Sequence, residues 1–381
     1  MVGIGATEFS KASGRSELQL ACESVGAAIA DAGLRPSDVD GMVSYSQETS
    51  SEIHVARNLG IGELTFFSRV HHGGGAACGT VAHAVAAIES GLAEVVVCWR
   101  SFNERSGVRF GLGMSGRPVD TTADTAAYSW ILPFGLSTPA QWVAMFARRY
   151  MYEFGATTED FGRVTVGIRD FAATNPKAWF YERPITLEDH QNSRWIAEPL
   201  RLLDCCQETD GGQAVVVVSA ERAKDLPHPP AYVVGAAQGS SDGQQMMTSY
   251  YGESMVGIPE MGLVARQLWR QSGLGPDEID AAILYDHFTP FVLQQLEEFG
   301  FCGRGEAPDF VREGHLARGG KLPMNTHGGQ LGEAYLHGMN GIAEGVRLVR
   351  GTSVNQPEKA MDNVLVTAGT GVPTSALILS S

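Results

Sequence analysis

The sequence predicts an α/β protein made of two related halves, and three observations carry that expectation. Residues 32–40, AGLRPSDVD, return at 272–280 as SGLGPDEID. Each copy follows a helical pattern and precedes an apolar run that ends in a tyrosine, Tyr45 or Tyr285. A second echo pairs residues 82–91 and the apolar run 94–98 with residues 342–351 and the run 363–367. Echoes in the same order imply an internal duplication. Helices alternating with near-continuous apolar strands imply parallel or mixed sheets with helices on their faces. The third observation is the 46 glycines, which lack periodicity and suit many tight strand-to-helix turns rather than disorder.

Taken in order, VGIGA at 2–6 reads as a first strand and leaves no room for a charged leader. Leu18, Leu20, Ala21, Val25, Ala28 and Ile29 fall at helical spacing over residues 17–33, and Gly33 ends that helix. Residues 41–45 make a buried strand. Residues 106–206 are irregular and rich in aromatics, with helical patterns at 141–154 and 158–174. An excursion carrying so much apolar surface predicts a lid or substrate-covering subdomain. Residues 210–219 return to the sheet, and LPHPP at 226–230 is the natural joint. The expected division is therefore 1–225, with the lid at about 106–206, and 230–381.

Composition narrows the function. A formal net charge of −15 argues against non-specific nucleic-acid binding. It leaves room for an anionic ligand such as a nucleotide thioester, met by Arg69, Arg100, Arg105 and Arg109, which are close in sequence. The six cysteines form no C-x-x-C pair and no zinc spacing, which suits reduced thiols in a cytoplasm. No apolar run is long enough to span a bilayer, so no membrane association is expected.

The stretch with most chemistry is 325–341, NTHGGQLGEAYLHGMNG. It joins glycines, which let main chain approach a ligand closely, to four proton-handling side chains: His327, Glu333, Tyr335 and His337. A helical pattern follows, so backbone N–H groups would gather at a helix N-terminus.

Several phrases together resemble the thiolase superfamily along nearly the whole chain, most closely the sterol-carrier-protein-type thiolases and bacterial lipid-transfer proteins. They are residues 2–9 (VGIGATEF), 73–79 (GGGAACG) and the helix after it, 199–205 (PLRLLDC), 210–212 (DGG), 285–288 (YDHF) and 325–341. The resemblance implies a thiolase fold: duplicated β-α-β-α-β-α-β-β halves in a five-layer α-β-α-β-α sandwich, dimeric through the first halves. All four catalytic side chains of thiolases are missing. The nucleophilic cysteine falls on Gly75, with Cys78 one turn inside the helix as core packing. The two catalytic histidines fall on Tyr285 and Tyr335, and the last cysteine on Thr367.

Without a thiolate no acyl-enzyme forms, so thiolysis is not available. Two phenols facing a thioester suit a retro-aldol cleavage of a β-hydroxyacyl thioester. The sequence looks like the subgroup of steroid side-chain aldolases, which implies cleavage of 17-hydroxy-3-oxo-4-pregnene-20-carboxyl-CoA to androstenedione and propionyl-CoA. That resemblance also implies a partner with an OB fold and a zinc ribbon in an α2β2 assembly. No cofactor is expected beyond the CoA of the substrate, with zinc only in the partner. The expected roles are Tyr335 as base on the hydroxyl and Tyr285 as donor to the enolate. His287, His337 and Asp286 support them, with His287 or His337 favouring the ionised Tyr335. Gly73, Gly74, Gly75, Asn325 and Gly371 contact the substrate or its oxyanion.

Rival readings are a non-catalytic thiolase-like scaffold that binds acyl-CoA, and a lipid-transfer module. A Schiff-base route would need a desolvated lysine, and of the five only Lys321 is near the constellation. A metal route is disfavoured, because adjacent His71 and His72 would point their rings apart on a strand.

Overall fold

A computed structural model describes residues 1–113, 128–243, 250, 254–369 and 374–381. The first half opens with β1 (Gly3–Ala6), α1 (Glu17–Asp31), β2 (Gly41–Tyr45), α2 (Glu52–Leu59), β3 (Phe66–Val70), α3 (Ala77–Glu89) and β4 (Val95–Asn103). An excursion follows, holding α4 (Pro139–Phe154), α5 (Thr158–Thr174), α6 (Leu187–Asn192) and the short pair β5 (Trp195–Ala197) and β6 (Leu200–Arg201). The first half closes with β7 (Asp210–Val218) and α7 (Ala220–Ala223). The second half is β8 (Tyr232–Gly239), α8 (Pro259–Ser272), β9 (Ala281–Ile283), α9 (Thr289–Glu298), α10 (Ala307–Arg312), α11 (Met339–Arg350), β10 (Asn363–Ala368) and β11 (Thr374–Ser380).

The duplication is visible in the pairing. The first sheet runs β1-β7-β4-β2-β3, and the second runs β8-β11-β10-β9. In each, an antiparallel outer set gives way to parallel pairing, β4 with β2 in the first and β10 with β9 in the second. The second sheet keeps only a trace of the fifth strand, a parallel bridge between Ala282 and Met324.

The layers follow from which faces are apolar. Helices α3 and α11 carry Val81, Ala84, Ile342 and Val346 into a core shared with both sheets, where Val96 and Val215 face Val366 and Leu377. They are the middle layer of a five-layer α-β-α-β-α sandwich. α1 turns Ala21, Val25 and Ile29 onto the far face of the first sheet, and α8 covers the far face of the second.

The excursion is well formed around its helices. Thr138 caps α4 reciprocally with Gln141, and Gly155 ends it at a left-handed φ of 67°. Thr157 and Asp160 do the same at the start of α5. Their apolar faces do not lie over the half that contributes them. Val143, Tyr150, Phe161 and Ile168 pack into the core of α8 and α9, in the second half. Tyr150 donates to Glu297, and Arg312 of α10 pairs with Asp160 at 2.7 Å. The segment expected as a lid is thus, at α4 and α5, a wall of the second half.

Candidate active site

Tyr285 and Tyr335 meet. Their hydroxyl oxygens are 3.2 Å apart, although 50 residues separate them in the chain. Both are buried, Tyr285 at 3% exposure and Tyr335 at 9%, and they cluster with Phe102 and Leu336, against which Phe9, Phe110 and Cys206 pack.

Each phenol is aimed by a clamp on its own backbone. The second sheet ends at Ile283, and side chains take over the main-chain bonding beyond it. Asn325 accepts from Leu284 N at 2.8 Å and donates to Leu284 O at 2.9 Å. Thr367 Oγ1 accepts from Tyr285 N at 2.9 Å, and Gln295 Nε2 donates to Tyr285 O at 2.9 Å. Tyr335 N donates to Thr209 Oγ1 at 2.8 Å. Asp286 accepts from Gln330 N and Leu331 N at 2.9 and 3.2 Å, and so pins the turn Gly329–Glu333 that precedes Tyr335.

Two of these contacts bear on positions singled out in the sequence. Asn325, expected at the substrate, uses its amide oxygen and one of its N–H groups on the main chain of Leu284. Thr367 likewise spends its hydroxyl within the fold, also donating to Gln295 Oε1 at 2.6 Å.

The glycines of 73–75 stand at the start of α3, through the turn Gly74–Ala76. A Cβ on Gly74 would lie 1.9 Å from the Tyr285 hydroxyl, so only glycine admits the phenol there. Gly75 abuts Gly369, and its carbonyl accepts from Ser375 at 2.7 Å. Gly371 lies outside the described residues.

Electrostatics decide which proton states are present. Burial pushes the Tyr285 phenol up, and it pushes Tyr335 well above the ordinary tyrosine range, with the charge of Tyr285 adding to it. Burial lowers His287 to about 3 and holds His337 well below the ordinary histidine range, with Arg100 as the next cause. Neither imidazole can therefore supply the positive charge that was expected to ionise Tyr335. The resting pair is two neutral phenols beside two neutral rings. Burial also raises Asp286 against the pull of its backbone hydrogen bonds.

Cys78 is buried in the core as expected, and burial pushes its thiol and that of Cys206 up, so neither offers a thiolate. His71 and His72 follow β3 rather than lie in it. Their rings do not diverge but meet edge-on at 4.5 Å. No group of three potential metal ligands exists among the described residues. Lys321 is on the surface, paired with Asp277 at 3.3 Å. The lysine beside the site is Lys11, lowered by burial to about 8, whose amine donates to Gln207 and Glu208. The arginines thought free for an anion are largely committed: Arg69 pairs with Glu52, Arg100 with Glu48 and Arg109 with Glu208.

Sequence reasoning missed Glu48, Gln295, Thr209 and Glu104, and it assigned Arg100 to an anionic ligand rather than to His337 and Glu48. Glu104 is 2% exposed, and its Oε2 has no hydrogen-bond partner among the described residues. Burial, then the charge of Glu208, raise it well above the usual carboxylate range. The signal for Arg100 was available, since a charged residue interrupts the apolar run of β4. His327 and Glu333 stand apart from the tyrosines, on a cleft of about 270 Å³ that also takes in Arg347 and Arg350. No helix among the described residues is long and apolar enough to cross a membrane.

Comparison with known proteins completes the picture. A family model described as thiolase C-terminal domain-like matches residues 251–381. The chain is 75% identical over 381 residues to a steroid side-chain-cleaving aldolase of Thermomonospora curvata, covering 100% of this chain and 97% of the relative. It is 63% identical over 379 residues to the 17-hydroxy-3-oxo-4-pregnene-20-carboxyl-CoA lyase of Mycobacterium tuberculosis, covering 100% of this chain and 98% of that one. A solved structure described as an Ltp2–ChsH2(DUF35) aldolase superposes with a TM-score of 0.96 at 73% identity, covering 100% of this chain and 97% of the other. Human mitochondrial 3-ketoacyl-CoA thiolase shares the fold at a TM-score of 0.70 and 16% identity, covering 100% and 98%.

Proposed function

The chain belongs to the thiolase-like steroid side-chain-cleaving aldolases, carbon–carbon lyases rather than thiolases, and from that membership we propose a retro-aldol cleavage run by Tyr335 and Tyr285 as a proton-transfer pair. The proposed substrate is 17-hydroxy-3-oxo-4-pregnene-20-carboxyl-CoA, for which the mycobacterial relative is named a lyase, and the proposed products are androstenedione and propionyl-CoA.

The observation that carries the reading is the 3.2 Å contact between the two buried phenols. A tyrosinate base is costly in such a site, and it is not needed. In one concerted relay Tyr335 Oη accepts the substrate's hydroxyl proton and passes its own to Tyr285 Oη, which gives the proton it held to Cα, so neither phenol carries two protons. The Cα–Cβ bond breaks in the same step, the alcohol carbon becomes the ketone, and the bonding pair goes to Cα, with enolate character developing on the thioester oxygen. The proton that left oxygen is matched by one gained at carbon, so the protein ends as it began and no oxidant or metal is called for. The adjacency of Gly74 to the Tyr285 hydroxyl supports placing the thioester at the start of α3, where backbone N–H groups and the helix dipole favour a developing oxyanion.

The partner belongs to the same proposal. The aldolase with which the chain superposes is described with a second component. We read that component as an OB-fold and zinc-ribbon subunit in an α2β2 assembly around a homodimer. Trp130 and Phe134, 71% and 82% exposed, are apolar surface that a partner or substrate would cover. The scaffold and lipid-transfer readings lose ground, since relatives spanning the whole chain are named as aldolase and lyase.

The test is ketone release from a β-hydroxyacyl-CoA, with and without such a partner, by the wild type and by Tyr285→Phe and Tyr335→Phe. Each variant should fold, bind CoA and lose about 10²- to 10⁴-fold in kcat, the range for one proton-transfer group. A double variant that turns over normally would remove both tyrosines from the mechanism.

A further inference from the structure

Arg100 is on β4, 1% exposed, and its guanidinium is shared among three partners, one of them the Ser101 carbonyl, which accepts from Nη1 at 3.1 Å. Nη1 donates to Glu48 Oε2 at 3.0 Å, and Nε donates to His337 Nδ1 at 3.2 Å. Glu48 is itself fixed, accepting from Ser101 N at 2.8 Å. A guanidinium has donors only, so Nδ1 of His337 is the acceptor and the neutral ring carries its proton on Nε2.

The ring cannot turn away from this bond easily. It stacks on Phe102 at 5.0 Å and meets Tyr335 edge-on at 5.1 Å. Its main chain sits at a left-handed φ of 51°, and its carbonyl accepts from Tyr45 Oη at 3.3 Å. One edge of the ring lies by the glycine turn: a Cβ on Gly73 would lie 3.4 Å from Cε1, the atom between the two ring nitrogens, which leaves Nε2 next to that contact.

We propose that Arg100 is a positioning residue that locks His337 as a neutral Nε2–H donor facing the turn at 73–75, where it holds the thioester oxygen as the enolate forms. The role of the oxygen rests on the retro-aldol reading; the tautomer does not. The titratable and charged groups near His337 are Arg100, His72, His287, Tyr45 and Tyr335. Burial, then the Arg100 charge, keep the ring uncharged. A neutral donor suits the reaction, because an imidazolium would protonate the enolate on oxygen and compete with delivery at Cα.

The test begins without substrate. In protein labelled with ¹⁵N-histidine, with the His337 signals assigned by loss in His337→Gln, the ring should be Nε2–H and should not titrate between about pH 5.5 and 8.5, a range spanning the ordinary histidine value. An Nδ1–H ring, or one that titrates normally, overturns the lock. Arg100→Lys keeps a cation for Glu48 but not the fork. It should mix the tautomers and lower kcat about tenfold or more with KM within about threefold, as expected for losing an oxyanion donor. An unchanged tautomer in that variant also overturns the proposal. Should Arg100→Lys fail to fold, His337→Gln, which retains an N–H, should exceed His337→Phe in kcat by about tenfold or more. Equal rates would remove the donor. Because the tautomer is read in the resting protein, failure of the retro-aldol reading and failure of the lock give different results.

Discussion

β2 and β9 follow the same sequence phrase, and each leads to a tyrosine that is put to a different use. Residues 45–48 are YSQE and residues 285–288 are YDHF. Tyr45 finishes a strand that is still in the ladder, opposite Val70 of β3. It is wholly buried, and its hydroxyl goes to a backbone carbonyl. Tyr285 stands two residues beyond a strand cut short at Ile283, with no β3 equivalent beside it, and its hydroxyl goes to a second phenol. The duplicated frame carries a tyrosine at each strand end, Tyr285 at the position where thiolases keep a histidine. Only where the ladder is replaced by side-chain clamps does the tyrosine hydroxyl bond to another side chain's hydroxyl rather than to a backbone carbonyl.

The largest expected effect breaks that comparison outright. Tyr285→Phe should lower kcat by about 10²- to 10⁴-fold. Tyr45→Phe, the same change at the matching position, should leave kcat within about tenfold and cost about 1 kcal/mol, the net worth of one hydrogen bond. Steady-state kinetics and urea melts on the two variants decide it. If Tyr45→Phe were the more damaging to kcat, the site would be in the wrong half.

Next in size is Gly74→Ala, which places a Cβ against the Tyr285 hydroxyl. The phenol must then move, and kcat should fall by about 10²-fold, as misplacement of a reacting group by about 1 Å does. The stability cost should be about 1–3 kcal/mol from overpacking. The contrasting glycine is Gly167 in α5, where a Cβ would meet nothing within 4 Å. Gly167→Ala should stabilise by up to about 1 kcal/mol through helix propensity.

Much of this frame was legible in the sequence. The phrases at 32–40 and 272–280 announced the repeat, and their tyrosines marked equivalent strand ends. The helical pattern at 158–174 coincides with α5 (Thr158–Thr174). Tyr335 and Tyr285 were found because they stand where a related family keeps histidines. What stayed hidden was the use of side chains on the backbone. Asn325 reads as a ligand group in a glycine-rich loop, yet it is a surrogate strand for Leu284. The charge state of His337 was unreadable because it depends on Arg100, 237 positions away in sequence, and on burial. The placement of α4 and α5 on the second half was invisible for the same reason: an apolar helix face does not name what covers it.

A smaller effect is expected from Asp286→Ser, which gives the second half the residue that Ser46 provides in the first. Gln330 and Leu331 would lose their acceptor inside the protein, at about 1–3 kcal/mol. With the turn before Tyr335 loosened, kcat should fall about tenfold or more while CoA binding holds. Loss of binding with kcat intact would instead make Asp286 a substrate-site group.

The smallest effect is the most diagnostic of why the halves differ. His287→Gln installs the counterpart of Gln47. His287 is neutral in the folded protein, lowered to about 3, and binds a proton readily once unfolded. Between the ordinary value near 6.5 and about 3 the unfolded state therefore takes up more protons, and the wild type loses stability as pH falls. The loss approaches about 1.4 kcal/mol per pH unit from this one ring. Asp286 and Glu104, both raised, act in the opposite sense, so the wild-type profile alone is a sum. The difference between variant and wild type isolates the ring. His287→Gln should be less stable than wild type at neutral pH, where it loses packing against Phe291, and the gap should close as pH is lowered through about 6 and 5. A gap that stays constant in urea melts across that range would mean His287 is not held neutral. The proton balance argued for the tyrosine pair would then need a charged neighbour after all.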